Sequence, residues 1–350
     1  MSIHVSVQEK LERHRVFWER TPTDRPMLGA TISTFPSLRS VRETEGDLSP
    51  DDLYLEANVA ELEAEWEEWE LASGDALWSA FPHWAFPWHS AMAGCAVSRA
   101  ADNFWVNPVR GGWDQLPSIR FDPANRWYRR LVEMTQALQD RSAGRFPVGI
   151  GPLMGGPADM MMEWRGREEL AIELYDAPGR VLELGEACAN LSADAAERLF
   201  EAAGSFQGGY CGTSRYLWAP GKMVETSEDI SFMLSPAAHH RFVVPLHREI
   251  GRRFPYTVLH LHSAQLHTVP NLLEVPEIRA IEITPDFGED MRPHIPLMAR
   301  ILERKSLILH GIMTVDAIKE MVQALPSRGF ALFCRSDSPA QARELLSALL

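Results

Sequence analysis

The stretch "YTVLHLHS", residues 256–263, combines a buried-strand pattern with two polar side chains. Thr257, Val258 and Leu259 are typical of a buried strand, and His260 and His262 follow at its end. Side chains two apart on a strand point to the same face of the sheet. We therefore expect both imidazoles to face one space, either as metal ligands or as hydrogen-bonded residues of a pocket.

Short apolar runs alternate with helical patterns along the whole chain, which favours a parallel sheet covered by helices. Eight such runs favour an α/β fold of the (βα)8 TIM-barrel type, formed as a single domain by residues 1–350. An open doubly wound sheet is the alternative, weakened by the lack of a G-x-G-x-x-G stretch after the first strand. The predicted strands are Met27–Ile32, Ala76–Phe81, Pro147–Ile150, Ser205–Cys211, Thr257–His262, Ala280–Thr284, Leu307–Gly311 and Ala331–Cys334.

The composition narrows the class of protein. The 350 residues carry 34 Lys and Arg against 48 Asp and Glu, a net charge of −14, so binding to nucleic acid or to an anionic membrane is not expected. The sequence shows neither a membrane-spanning run nor a signal peptide, and its four scattered cysteines favour a cytoplasmic protein without disulfides. Eight of the eleven tryptophans fall between positions 66 and 127 and suggest apolar walls for a pocket, although core packing explains most of them.

Further polar residues end or interrupt the predicted strands near the mouth of such a barrel. In "RAIEITPD", residues 279–286, Ile281 and Ile283 are expected to face the helices, which points Glu282 inward. A buried carboxylate needs a partner, and with His260, His262 and Cys334 it makes a set that suits zinc. The alternatives are that Glu282 pairs with Arg279 or Arg292, and that Cys334 is a small core residue.

Three segments resemble the uroporphyrinogen decarboxylase superfamily, whose members share a single-domain (βα)8 barrel. They are "VETSEDISFMLSPAAHHRFVVPLHREI" (224–250), "GPADMMMEWRG" (156–166) and "LLEVPEIRAIEITPDFG" (272–288), while residues 1–145 diverge. The decarboxylases carry an aspartate in a Phe-Ser-Asp-Ile segment, and "LWSAFPHW" (77–84) has Ala80 there. Their N-terminal arginine signature is replaced by "ATISTFPSLRS" (30–40). Both departures argue against decarboxylation of a heme precursor.

The other branch of that superfamily, zinc methyltransferases that move methyl groups from corrinoids to thiols, carries an H-x-C pair and a later cysteine. The resemblance implies that His260 and Cys334 match two of these ligands and that His262 replaces the first cysteine. Glu282 matches a glutamate of the related cobalamin-independent methionine synthases. The resemblance thus implies a zinc site of His260, His262, Glu282 and Cys334, a corrinoid as methyl carrier, a corrinoid protein as possible partner, and a possible homodimer.

We expect the remaining site residues to act on a small-molecule substrate. His310 and Tyr210 are candidate catalytic residues. Arg215 is expected to hold an anionic substrate, and apolar walls are expected from Trp78, Trp84, Trp88 and Trp164. The competing functions are a metal-free decarboxylase or lyase of a small carboxylate, with the histidines as acid and base, and a non-catalytic subunit of a corrinoid methyl-transfer system.

Overall fold

The computed structural model contains a central parallel sheet surrounded by helices. It describes residues 5–32, 40–43, 45–83, 85–100, 103–150, 155–212, 216–286 and 289–349. Its strands are β1 Met27–Ile32, β2 Gly46–Asp47, β3 Ala96–Ala100, β4 Asn103–Asn107, β5 Tyr210–Cys211, β6 Trp218–Ala219, β7 Met223–Ser227, β8 Tyr256–His262, β9 Ala280–Thr284, β10 Ser306–Gly311 and β11 Phe330–Ser336.

Thirteen α-helices lie in these described ranges, several of them begun by a serine, threonine or asparagine cap or by a proline. They are α1 Val7–Glu19, α2 Leu55–Trp69, α3 Trp88–Met92, α4 Arg126–Ser142, α5 Pro157–Arg165, α6 Arg167–Asp176, α7 Pro178–Ala203, α8 Pro236–Phe242, α9 Val244–Arg253, α10 Val269–Leu272, α11 Ile295–Arg304, α12 Val315–Ala324 and α13 Pro339–Leu349. None of the described helices is long and apolar enough to cross a membrane.

The main sheet has six strands in the order β1-β11-β10-β9-β8-β7, and every neighbouring pair is parallel. This arrangement is α/β and resembles a TIM barrel. In the described residues the regular strands do not close into a barrel. The segments 76–81 and 147–150 contribute only isolated bridges, Ala80 to Val148 and Gly149 to Cys211. The expectation of one domain over residues 1–350 stays a prediction.

Five of the eight predicted strands are confirmed, with ends shifted by at most two residues. Three are not confirmed as regular strands, among them Ser205–Cys211, which contributes only the two residues of β5 in a hairpin with β6. Within the main sheet, the sequence pattern misses β7, whose sequence Met-Val-Glu-Thr-Ser is too polar to indicate a buried strand. Here the sheet partner β8 determines the strand, because local propensity does not.

Alternation along the strands separates an inner layer from an outer layer. Val258, Ala280, Ile308 and Ala331 form one apolar cluster on the inner face of the sheet. The residues that follow them point outward into a second cluster shared with the helices, as do Leu259, Ile281, Leu309 and Leu332. One step further toward the carboxyl ends of the strands, the inner layer changes from apolar to polar side chains.

Candidate active site at the ends of the strands

Glu282 occupies the polar inner layer and is 2% exposed. Its Oε1 lies 2.9 Å from Nδ1 of His260 and 3.5 Å from Nδ1 of His310, and its Oε2 accepts a hydrogen bond from the Tyr216 hydroxyl. Burial alone raises the pKa of this carboxyl, but the hydrogen bonds and charges of the two imidazoles outweigh burial and lower it. Glu282 is therefore a buried carboxylate held by imidazoles and a phenol, rather than by Arg279 or Arg292.

His260 is the opposite partner of Glu282 in the strand register. Burial works against its charged form, but the hydrogen bond and charge of Glu282, together with the charges of Glu225 and Asp229, raise the pKa of His260 to about 9. Because Nδ1 faces Glu282, the second ring nitrogen, Nε2, is left for another partner. A carboxylate behind the first nitrogen of an imidazole is the usual support of a metal-binding histidine.

His262 also has a carboxylate beside its Nδ1, one step nearer the mouth, although the geometry of this pair is not that of a hydrogen bond. Its Nδ1 lies 3.2 Å from Oδ1 of Asp286, and its ring meets the ring of His260 edge-on with centroids 5.0 Å apart. Within the described residues, neither His260 nor His262 makes a hydrogen bond through Nε2. The sequence prediction that both imidazoles face one space is therefore matched by the geometry.

Among the described residues, three groups of side chains have donor atoms close enough to hold a metal ion. The first contains Asp229 with His260 and His262, at the mouth. The second contains Glu225 and Glu282 with His260, one layer deeper. The third, Glu228 with His239 and His247, lies wholly buried outside the inner layer. Two imidazoles and one carboxylate with an open position form a donor set that suits zinc.

His310 lies beside this set on β10. Its Nε2 is 2.9 Å from the Thr31 hydroxyl, and its ring stacks on Tyr216 with centroids 4.6 Å apart. Burial lowers the pKa of His310, and the positive charges of Arg335 and His260 lower it further, against the opposing effect of Glu282. A neutral imidazole near pH 7 in this position is able to take a proton from a bound substrate.

Cys334 does not join this group. On β11 the side chains of Ala331 and Phe333 belong to the inner cluster, whereas Leu332 and Cys334 belong to the outer one. The thiol is thus buried among apolar side chains on the helix side of the sheet, and burial raises its pKa to about 12. The predicted ligand set of His260, His262, Glu282 and Cys334 is not brought together, because the side chain of Cys334 leaves β11 on the face opposite to that of Phe333.

The predicted aromatic and anion-binding residues lie mostly elsewhere. Trp78 packs edge-on against Phe146, and Trp88 and Trp164 are buried in the cluster beneath the helices. Tyr210 packs on Phe200 of α7, with ring centroids 4.9 Å apart. Trp84 and Arg215 lie outside the described residues. Trp78, Trp88 and Trp164 therefore fill the core, which is the more common use of such side chains.

Sequence reasoning missed Tyr216, Asp229 and Arg335. Tyr216 lies in a loop and Asp229 begins a short 3-10 helix, neither of them with a strand pattern, and only the fold brings them near the inner layer. Asp229 did carry a signal, since it stands in the Glu-Asp-Ile segment that we compared with the superfamily. Arg335 carried one too, since it follows Phe333 by two residues and so shares its inward face.

Comparison with known proteins shows similarity of fold. No family model matches the chain, and no curated protein matches it. Among solved structures, the chain is similar to a methyltransferase from Methanosarcina mazei, with a TM-score of 0.67 and 12% sequence identity. The match covers 99% of this chain and 98% of that chain. The structural similarity establishes a methyltransferase-like fold over the whole chain. Because the sequence identity is low, the chemistry has to be argued from the site.

Proposed function

We propose that this protein is a zinc-dependent methyltransferase whose metal is held at the mouth of the sheet by His260, His262 and Asp229. The observation that carries the proposal is the shared orientation of the two imidazoles. Each has Nδ1 beside a carboxylate, Glu282 or Asp286, and both lie close enough to Asp229 to share a metal ion with it. Metal-binding histidines are commonly oriented in this way.

This assignment changes two roles in the ligand set implied by the resemblance to the zinc branch of the uroporphyrinogen decarboxylase superfamily. Asp229 takes the place of Cys334, which faces the helices. Glu282 becomes a positioning residue that holds the ring of His260. The proposed site is therefore richer in nitrogen and oxygen and poorer in thiolate than an H-x-C site, and such a set still suits zinc.

Zinc bound here would lower the pKa of an acceptor thiol and so favour its attack on a methyl group. The residues around the proposed metal would accept the proton of the acceptor and hold the metal-binding rings in place. His310, neutral and 9% exposed, is placed to take the proton of the acceptor. Tyr216 holds Glu282 and, through it, the ring of His260. A corrinoid, free or carried by a partner protein, is the methyl donor that the superfamily resemblance supports.

The test begins with the metal content of purified protein, measured by inductively coupled plasma mass spectrometry. We expect about one zinc per chain, loss of zinc in His262→Ala and in His260→Ala, and full retention in the control His294→Ala, a half-exposed histidine that pairs with Glu289. Methyl transfer from methylcobalamin to 2-mercaptoethanol should be lost with the zinc. Wild-type protein free of zinc, or zinc retained in both variants, would exclude the proposal.

A second function is favoured by the raised pKa of His260. An imidazolium paired with the Glu282 carboxylate is a complete arrangement without a metal, and it suits a lyase or decarboxylase acting on a small carboxylate. The two functions differ in their response to chelators. Activity that survives exhaustive treatment with a chelator, and that depends on pH through a bell-shaped profile, would support the lyase and contradict the methyltransferase.

A further inference from the structure

Positively charged side chains gather at the amino ends of β9, β10 and β11, the end of the sheet opposite to the candidate active site. The strand register sets Arg279, Lys305 and Arg328 at one level, just before these strands begin. Neighbouring parallel strands lie about 4.8 Å apart. Three cations on adjacent strands are therefore crowded along one edge of the sheet.

Arg20, which follows α1, brings a fourth cation to this edge. A Cβ atom placed on Gly329 would lie 3.1 Å from Cγ and 3.4 Å from Nε of Arg20, so the Arg20 side chain runs along the turn that carries Arg328. Burial lowers the pKa of Arg20, and the positive charges of Arg328 and Arg279 lower it further. Arg20, Arg279, Lys305 and Arg328 thus form one group, the basic cluster.

The arginines of the basic cluster lack carboxylate partners, although the protein carries a net charge of −14. Among the described residues, none of the three forms an ion pair. Other exposed arginines do find partners, since Arg180 pairs with Glu183 and Arg292 pairs with Asp290. Like charges held together without a counter-charge destabilise a folded protein, so a bound anion would stabilise this edge.

The acidic residues closest to the basic cluster do not neutralise it. Glu19 precedes Arg20 in the sequence, and within the part of the chain that the structure describes it forms no ion pair with the cluster. The charge of Glu277 acts on Lys305, but its Oε1 also lies 3.8 Å from Nε of Arg252, which adds a further positive charge. The cations therefore outnumber the carboxylates at this end of the sheet.

Two of the guanidinium groups are held in place by the protein. Nη2 of Arg20 donates to the carbonyl of Leu302 at the end of α11, and the guanidinium carbon of Arg279 lies 5.6 Å from the centroid of the Tyr256 ring. Each guanidinium has five N–H donors, and these contacts use few of them. Arg328 is exposed in the turn before β11. The cluster thus offers free donors on groups that are already oriented.

The charge of the basic cluster indicates the class of anion. Three guanidinium groups exceed what one carboxylate neutralises, whereas a phosphate group carries about −1.5 to −2 charges near pH 7 and has three acceptor oxygens. Guanidinium groups form paired hydrogen bonds with such oxygens. We propose that the basic cluster binds a phosphate group, with Arg20, Arg279 and Arg328 as its hydrogen-bond donors.

This site is separate from the candidate active site and goes beyond the proposed function. β10 has six residues, and a strand rises about 3.3 Å per residue, so the two ends of the sheet are about 20 Å apart. The phosphate group is therefore not part of a substrate that reaches His260 and His262. It belongs to a second ligand, which binds with or without a metal at the mouth.

Isothermal titration calorimetry of the full-length protein with inorganic phosphate tests the site, with sodium chloride keeping the ionic strength constant. We expect one phosphate per chain, and a loss of affinity of about tenfold or more in Arg328→Gln and in Arg279→Gln, as for charge-assisted hydrogen bonds. The matched control is Arg120→Gln, an exposed arginine before α4, which should bind phosphate like the wild type. No binding to the wild type, or equal binding to Arg328→Gln, overturns the proposal.

Thermal unfolding separates a ligand site from a structural role of the arginine. Without phosphate at low ionic strength, Arg328→Gln should be at least as stable as the wild type, because one repulsive charge is removed. Phosphate should raise the Tm of the wild type more than that of the variant, because it binds only the folded protein with the complete cluster. A variant that is less stable without phosphate, or equal stabilisation of both proteins by phosphate, contradicts the site.

Three forms of the same group identify the source of the phosphate. Inorganic phosphate, AMP, and vesicles of phosphatidylcholine with or without phosphatidic acid distinguish the free ion, a soluble ester and a lipid headgroup. The tightest binder that depends on Arg328 names the source. Failure of all three to depend on Arg328 overturns the proposal.

The phosphate site and the proposed function fail separately. Phosphate binding should persist in His262→Ala, and zinc content should be unchanged in Arg328→Gln. Loss of phosphate binding in His262→Ala, with retention in Arg328→Gln, would put the anion at the mouth and overturn the site at the amino ends. Phosphate binding that depends on Arg328 in a protein without zinc supports this site and contradicts the methyltransferase.

Discussion

Two glutamates of this protein each lie within 3.5 Å of two imidazoles, in very different surroundings. Glu282 meets His260 and His310 on the inner face of the sheet. Glu228, at the end of β7, meets His239 at 2.9 Å and His247 at 2.6 Å, and Thr268 donates a further hydrogen bond to it. Chemically the two clusters are almost the same, and both include donor atoms spaced closely enough for a metal ion.

The nitrogens of His239 and His260 that face away from the glutamate differ between the two clusters. In the buried cluster, Nδ2 of Asn271 donates to the carbonyl of Pro236 and lies 3.0 Å from Nδ1 of His239. Nδ1 of His239 therefore accepts a hydrogen bond, and the N–H at Nε2 of the same ring donates one to Glu228. At the mouth, Nε2 of His260 makes no hydrogen bond among the described residues, and Asp229 and His262 lie close enough to share a metal ion with this histidine. In the buried cluster both nitrogens of His239 are thus engaged, while Nδ1 of His247 is enclosed and lacks a hydrogen-bond partner among the described residues. The mouth leaves Nε2 of His260 and of His262 without a hydrogen bond among the same residues.

Removing the charge of Glu228 should have the largest effect on folding. The carboxylate is fully buried and joins the end of β7 to α8 and α9 through its two imidazoles. We expect Glu228→Gln to lower the free energy of unfolding in urea by about 3 kcal/mol, as for a broken buried ion pair, and to leave the zinc content of the folded protein unchanged. The exposed pair of Glu183 with Arg180 is the control, since Glu183→Gln should cost no more than about 0.5 kcal/mol.

Glu228→Gln also tests how the free energy of unfolding depends on pH. Burial raises the pKa of Glu228, but the hydrogen bonds and charges of His239 and His247 outweigh burial and lower it from 4.5 to about 2. A carboxyl with a lowered pKa stabilises the fold above its unfolded pKa and ceases to do so as pH falls through the folded pKa. The stability difference between the wild type and Glu228→Gln should therefore be constant above about pH 4.5 and shrink toward pH 2. Loss of zinc with unchanged stability would reverse the roles of the two clusters.

At the mouth, a change of the supporting carboxylate should act on the metal rather than on the fold. Glu282→Gln keeps an oxygen that can accept from Nδ1 of His260 but removes the charge. We expect a loss of about ten- to a hundredfold in zinc affinity, the usual effect of changing the partner of a metal-binding histidine. Competition with a chromophoric chelator measures it.

Asp286→Asn tests the carboxylate beside His262, as Glu282→Gln tests the carboxylate beside His260. Asp286 is nearly half-exposed, and its pKa is lowered against the effect of burial chiefly by hydrogen bonds from Ser263 and Ala264, with His262 contributing less. Its substitution should therefore reduce zinc affinity less than Glu282→Gln does. Equal zinc affinity in Glu282→Gln and the wild type would mean that Glu282 supports no metal-binding ring.

The sequence predicted the parts of the fold and site that depend on alternation within one strand. β8, β9, β10 and β11 were predicted to within two residues, because buried parallel strands are short apolar runs. The inward direction of Glu282 followed from Ile281 and Ile283, which do lie in the outer cluster. Such inferences need only the period of two that every strand has.

What failed depended on relations between strands and on loops. β7 is held by its neighbour β8 rather than by its own propensity, and Tyr216 and Asp229 approach Glu282 and His260 from segments outside the strands. The prediction placed Cys334 in the site because this residue lies at the end of a strand. It did not consider whether an odd or an even number of residues separates Cys334 from a side chain that faces inward. Counting from Phe333, whose ring lies 4.6 Å from that of Tyr216, would have placed the thiol outside.

Cys334 therefore gives the smallest expected effect and the clearest discrimination between ligand sets. Its sulfur is buried among apolar side chains, so Cys334→Ala should lower the free energy of unfolding by about 1 kcal/mol, the typical cost of a single substitution. The buried Cys211 is the matched control, and Cys211→Ala should cost a similar amount. Both variants should keep zinc at the level of the wild type, because neither thiol faces His260 and His262. Loss of zinc in Cys334→Ala, with zinc retained in Cys211→Ala, would return the Cys334 thiolate to the ligand set. It would also mean that the side chain of Cys334 turns to the inner face of the sheet when the metal binds.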